Sequence, residues 1–76
     1  MPYTISEADQ KKLQAAFTYS APKPDQTPRY EHIRTNAKAM AEHWCMECPA
    51  GRELSLALTN LEQAVMWAYA AIARNE

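Results

Sequence analysis

The stretch Ala64–Ala73, AVMWAYAAIA, carries no charged or strongly polar side chain, and it closes an otherwise regular helical pattern. A helix that is apolar on every side has to be covered on every side. The run is too short for a bilayer, which needs about 20 apolar residues to cross. Its cover must therefore be protein. One candidate is another copy of the chain, approaching closely over Ala64, Ala68, Ala70, Ala71 and Ala73. The other is the chain's own first helix, folded back. Size favours another copy: a domain near 76 residues buries only about 60% of its unfolded surface. Self-association is the expectation.

Three helices and no strand can be read. Ser6 precedes Glu7 and Asp9 as an N-cap with acidic residues in the first turn. Leu13, Ala16 and Phe17 follow at helical spacing, so a short helix is expected over 6–17. Pro22 and Pro24 make Tyr19–Thr27 a loop. Thr27-Pro28 reads as an N-cap followed by an N1 proline, opening a second helix over 28–46. Tyr30, Ile33, Ala37, Met40, Ala41 and Trp44 form one stripe with a period of about 3.6. Cys48-Pro49 ends it. A third helix is expected over 51–74, its seam running through Leu54, Leu58, Leu61, Val65, Ala68 and Ile72. The short Pro49-Ala50-Gly51 turn makes the second and third helices an antiparallel hairpin. The expected fold is all-α: a short N-terminal helix plus a long hairpin in one domain over 1–76, assembled as a compact homo-oligomer. Val65, Met66, Trp67, Tyr69 and Ile72 are the expected oligomer interface.

Several function classes fall away. Eight Lys and Arg against nine Asp and Glu give a net charge of −1, unlike a dedicated duplex-DNA binder. No run is long enough to span a membrane, and MPYTISEADQ lacks the basic-then-apolar pattern of a signal peptide, so a cytoplasmic protein is expected. Gly51 is the only glycine, which excludes glycine-rich phosphate loops. Cys45 and Cys48 form a CxxC with His43 nearby, but a structural zinc site needs four ligands and only one such pair is present. They also fall at the wrong end of a helix for a reactive thiolate. Structural thiols, buried or half-exposed, and no metal are expected. No nucleophile, base and acid share a telling spacing, so neither catalysis nor a cofactor is expected.

The most ligand-like region runs from Tyr19 through Lys23, Arg29, Arg34 and Lys38. Arg34 and Lys38 lie one helical turn apart, off the apolar stripe. An aromatic ring beside a basic ridge suits a nucleotide, the ring stacking on a base and the cation taking a phosphate. The plainer reading is a solvated basic face with Tyr19 packed locally.

The sequence FTYSAPKPDQTPRYEHIRTNAKAMAEHW, continued by RELSLALTNLEQAVMWAYAAIARNE, resembles the small phage proteins that antagonise CBASS immunity by sequestering cyclic-nucleotide messengers. These share a helical-hairpin domain with anti-Thoeris sponges. The resemblance is densest in SLALTNLEQAVMWAYAAIARNE. It implies capture of cyclic dinucleotides, and often cyclic trinucleotides, without cleavage, by a homo-hexamer with pockets between protomers in the cytoplasm of an infected bacterium. The tyrosine of the FTY motif implies a base-stacking role for Tyr19. Arg34 in YEHIR matches the phosphate-binding basic residue, with Lys38 as the alternative one turn on. The arginine of AIARN implies a cyclic-trinucleotide contact at Arg74. Two positions depart from the pattern: Ser20 stands where several relatives are expected to have His, and Tyr69 where Asn is common. The rival reading is a non-catalytic helical adaptor that docks on a host or phage protein through its apolar last helix.

Overall fold

The computed structural model describes residues 2–76 and is helical throughout: α1 spans Glu7–Phe17, α2 Thr27–Glu47 and α3 Arg52–Asn75. Among the described residues there is no strand. Ser6 caps α1, its hydroxyl accepting the Asp9 N–H at 3.1 Å. The α1 backbone leaves the helix at Thr18, whose N–H still donates to the Gln14 carbonyl at 3.0 Å. Pro22 then keeps the chain out of helix as far as a tight turn with Pro24 at its second position, where the Gln26 N–H donates to the Lys23 carbonyl at 2.9 Å.

That turn changes the start of α2. Thr27 was expected as the N-cap, but it already lies within the helix, and Gln26 occupies the cap position with helical backbone angles (φ −83°, ψ −33°). The Lys23–Gln26 turn, with Pro24 inside it, already winds the chain ahead of Thr27, so Pro28 falls at the second helical position. No side chain caps this end. The Gln26 carboxamide instead accepts the Lys23 N–H at 3.0 Å. The other end of α2 behaves as its Pro49 requires. Cys48 is extended (φ −116°, ψ 141°) while its N–H closes on the Trp44 carbonyl at 2.9 Å.

The helices α2 and α3 form the hairpin. Tyr30 near the start of α2 meets Tyr69 near the end of α3, with ring centroids 5.2 Å apart and planes at 81°. At the turn end, Trp44 and Cys48 border a hollow of about 250 Å³ shared with Leu54 and Ala57. Half-buried positions trace the two stripes: Tyr30, Ile33, Ala37, Ala41 and Trp44 on α2, and Leu54, Leu58, Leu61, Val65, Ala68 and Ile72 on α3. Met40 is exposed instead, lying at the margin of its stripe. Asn60 and Asn75 return their amides to the carbonyls of Leu56 and Ala71 at 2.7 and 3.0 Å. They face outward and do not interrupt the packing.

The first helix does not cover the apolar end of α3. Every residue of α1 is exposed, and so are Met66 (60%) and Trp67 (66%). Leu13 and Phe17, both exposed, are the only large apolar side chains of α1, beside the small Ala8, Ala15 and Ala16. Among the described residues no hydrophobic side chain is fully buried, and only Gln26 is, at 4% exposure. The molecule measures 51 × 37 × 14 Å, with a radius of gyration of 17.1 Å, where a compact chain of this length would have about 11 Å. Its accessible surface is 6604 Å². A compact protein of 8.6 kDa exposes about 4,700 Å², so about 1,900 Å² is exposed in excess.

Candidate functional site

Two open grooves carry the chemistry. The first, of about 380 Å³, lies where the loop meets the hairpin and is lined by Pro22, Thr27, Tyr30, Glu31, Arg34 and Tyr69. The i, i+3/i+4 spacing of α2 puts Thr27, Tyr30, Glu31 and Arg34 on one face. The edge-to-face Tyr30–Tyr69 pair forms the aromatic part of the lining. Among the described residues Arg34 has no ion-pair or hydrogen-bond partner, so its donors are free for an anion. The Tyr69 hydroxyl is shielded from solvent yet has no hydrogen-bond partner. A shielded polar group in that state carries a desolvation penalty that a bound acceptor or donor would relieve.

Beside this groove, cations are already paired. Arg29 donates to the Glu76 carboxylate from both terminal guanidinium nitrogens, Nη1 at 3.0 Å, and lies 3.8 Å from Asp25. Gln26 Nε2 donates to the same carboxylate at 3.2 Å, and Lys23 Nζ donates to the Glu76 main-chain oxygen at 2.7 Å. The hydrogen bond from Arg29, followed by that from Gln26, holds the Glu76 carboxyl below its ordinary pKa. The reciprocal bond raises the pKa of Arg29. Two of the four basic residues from Lys23 to Lys38 are thus engaged within the chain, leaving Arg34 and Lys38.

The second groove, of about 400 Å³, is lined by Gln63, Met66, Trp67, Ala70 and Arg74. The Arg74 guanidinium lies 5.8 Å from the centroid of the Trp67 ring, within cation–π range. A charged donor over an exposed indole can bind an anionic, aromatic ligand or another protein surface.

The residues singled out by sequence are only partly brought together. Arg34 and Tyr69 share the first groove, while Tyr19 and Lys38 do not line it. Tyr19 is 84% exposed, so it is not packed locally. Of the expected interface residues, Val65, Tyr69 and Ile72 are half-buried within the chain, whereas Met66 and Trp67 face outward. Pro22, Thr27, Tyr30 and Glu31 were not foreseen as lining residues, Tyr30 being read only as part of the apolar stripe. Glu31 could have been found as the residue one turn before Arg34; Pro22 is placed by the path of the loop. Cys45 and Cys48 are both exposed, which corrects the buried or half-exposed expectation: Cys45 follows the stripe residue Trp44 and points off the seam, and Cys48 lies beyond the end of α2. His43 Nε2 lies 3.8 Å from Glu47 Oε1. Among the described residues no cluster of three or more metal-ligating side chains occurs, and no helix is long and apolar enough to cross a membrane.

A protein-family model described as "Acb2/Tad1, hairpin domain" matches residues 9–73. No curated protein and no solved structure matches the chain.

Proposed function

We propose a function from one premise: the chain belongs to the Acb2/Tad1 hairpin family, the anti-CBASS and anti-Thoeris sponges. This is a binding, non-catalytic family, and at that level the chain fits a phage cyclic-nucleotide sponge. The finer reading is that it captures cyclic di- and trinucleotide messengers in the cytoplasm of the infected host, uncleaved, and so keeps CBASS effectors inactive. The observation that carries this reading to particular residues is the first groove. There an unpaired guanidinium, Arg34, stands beside an aromatic pair and a shielded hydroxyl with no partner.

Its volume of about 380 Å³ falls in the ~300–1,000 Å³ range of small-molecule sites, but the groove is open on one side. Nanomolar capture corresponds to about −12 kcal/mol, which calls for stacking and charge-assisted phosphate bonds in a closed, desolvated site. A second copy supplies the missing wall. The excess surface and the outward Met66 and Trp67 support self-association, as a hexamer on the family resemblance. In that assembly Tyr19 of one protomer stacks on a base held in another protomer's groove, and Arg34, or Lys38 one turn on, takes the phosphate. Arg74 over Trp67 is the proposed cyclic-trinucleotide contact.

The test is capture and release. Protein in excess of a cyclic dinucleotide should silence a messenger-activated effector, and heat denaturation should return the ligand intact and active. Recovery of linearised product would overturn the sponge in favour of an enzyme. No depletion of any cyclic nucleotide would leave the docking adaptor as the better account.

A further inference from the structure

The most concentrated polar structure in the molecule lies outside the nucleotide contacts. Donors from three residues, Lys23, Gln26 and Arg29, converge on Glu76, some 50 positions away in sequence. Gln26 is the hub. Its side-chain Oε1 accepts the Lys23 N–H at 3.0 Å, its side-chain Nε2 donates to Glu76 at 3.2 Å, and it is the one fully buried residue among those described. An isolated surface ion pair contributes little. Here, however, loss of Glu76 also leaves a buried amide N–H without its partner, which favours movement of the turn toward water.

The turn held in this way forms a wall of the groove. Pro22 and Thr27 flank the Lys23–Gln26 turn directly, and both line the first groove with Arg34 and Tyr69. On α2 itself Arg29 lies between the lining residues Thr27 and Tyr30. The clasp therefore ties the far end of α3 to the loop that faces Arg34.

We infer that Glu76, gripped by Arg29, Gln26 and Lys23, is a positioning residue for the ligand groove, holding the Pro22–Thr27 wall in its binding-competent place. This inference rests on the sponge reading of the groove. Glu76 touches no ligand and acts only through the turn. A groove competent only part of the time binds with an apparent dissociation constant raised by the inverse of that fraction. Loosening that leaves it competent one-fifth of the time weakens binding about fivefold.

The sign of the effect separates positioning from simple electrostatics. Removing a carboxylate near an anion site should strengthen anion binding by Coulomb's law. Loss of the clasp should weaken it. The experiment compares the wild type with Glu76→Ala, Arg29→Ala and the exchanged pair Arg29→Glu/Glu76→Arg, which preserves net charge. Affinity for a cyclic dinucleotide panel is measured by calorimetry well below every variant's unfolding midpoint. Amide exchange at Lys23, Gln26 and Thr27 is followed without ligand. The expected result is faster exchange at those amides and about three- to tenfold weaker binding in both single variants, with the effects reversed only in part in the exchanged pair, because arginine at position 76 restores the ion pair but offers no acceptor to the Gln26 amide. Unchanged or tighter binding by Glu76→Ala, or unchanged exchange at the turn, overturns the positioning role while wild-type binding stands. A wild type that binds no member of the panel overturns the sponge reading itself, and the positioning role with it.

Discussion

Replacing Tyr69 with phenylalanine separates two consequences of one atom. The hydroxyl is shielded from solvent and unpartnered in the free chain. The ring itself makes the edge-to-face contact with Tyr30, at 5.2 Å between centroids. Phenylalanine keeps the ring and its quadrupole, so that contact survives the substitution. What disappears is the penalty of an unsatisfied buried polar group, about 1–3 kcal/mol. The side chain is only half-buried, so the low end of that range, about 1 kcal/mol, is expected as a gain for the free protein. For a chain of this length that raises the melting temperature by about 4–8 °C. The comparison must be made at equal protomer concentration, because stability coupled to assembly depends on it. Ligand affinity should move the other way. If a bound nucleotide supplies the partner, losing one neutral hydrogen bond costs about 0.5–1.5 kcal/mol, a twofold to twelvefold weakening. The assays are thermal unfolding by circular dichroism without ligand and calorimetric titration with a cyclic dinucleotide. A Tyr69→Phe variant that is less stable without ligand would refute the reasoning, since the hydroxyl must then be bonded in the free protein. A stability gain with unchanged affinity would remove the ligand from the argument and leave only the desolvation penalty.

The other expectations can be checked with the same preparations. Arg34→Ala should weaken cyclic dinucleotides by about 10- to 150-fold, the worth of a charge-assisted bond, and Tyr19→Ala by a comparable factor from lost stacking, with native mass unchanged in both. If Arg34→Ala binds normally and Lys38→Ala does not, the phosphate contact lies one turn further on. Arg74→Ala should weaken cyclic trinucleotides and spare dinucleotides, read in one competition titration. Met66→Glu/Trp67→Glu should reduce the native mass toward that of a single chain, by placing charge on the two outward apolar side chains of α3; an unchanged mass would move the interface elsewhere. Glu76 has a depressed carboxyl pKa in the folded state, so its contribution is present above the unfolded value and lost as pH falls through the folded one. The melting-temperature difference between wild type and Glu76→Gln should therefore hold at neutral pH and shrink below about pH 4, near the ordinary carboxylate range.

How much of this was legible depends on whether a feature is periodic. The stripes were, because burial in a hairpin repeats with the helix. Leu54, Leu58, Leu61, Val65, Ala68 and Ile72 could be named from spacing, and every one is half-buried. Arg34 could be picked out as a cation on α2 lying off the stripe. The clasp could not: nothing in Gln26 or Glu76 announces a partner so far along the chain, since that meeting depends on the relative lengths and crossing of α2 and α3. The start of α2 was misjudged for a related reason. Local rules favour Thr27-Pro28 as a cap and first turn, but the Lys23–Gln26 turn, tethered to Glu76, begins the helix earlier. Tyr19 marks another boundary. It is 84% exposed and leaves no signature in its own chain's packing, so the role proposed for it rests on resemblance.

The four-residue connection between Glu47 and Arg52 bears on timing. A hairpin closed by so short a link forms through contacts near in sequence, and helical topologies of this kind fold in microseconds to milliseconds. Synthesis proceeds at about 5–20 residues per second, so each chain takes seconds to make and almost no time to fold. Encounter between finished chains is then the slow event for the assembly proposed above, and its rate climbs more steeply than linearly with their number. Under that proposal, messenger-binding capacity would lag the first transcripts and then rise more than in proportion to chain number, with the short turn of Cys48, Pro49, Ala50 and Gly51 keeping folding from adding to the delay.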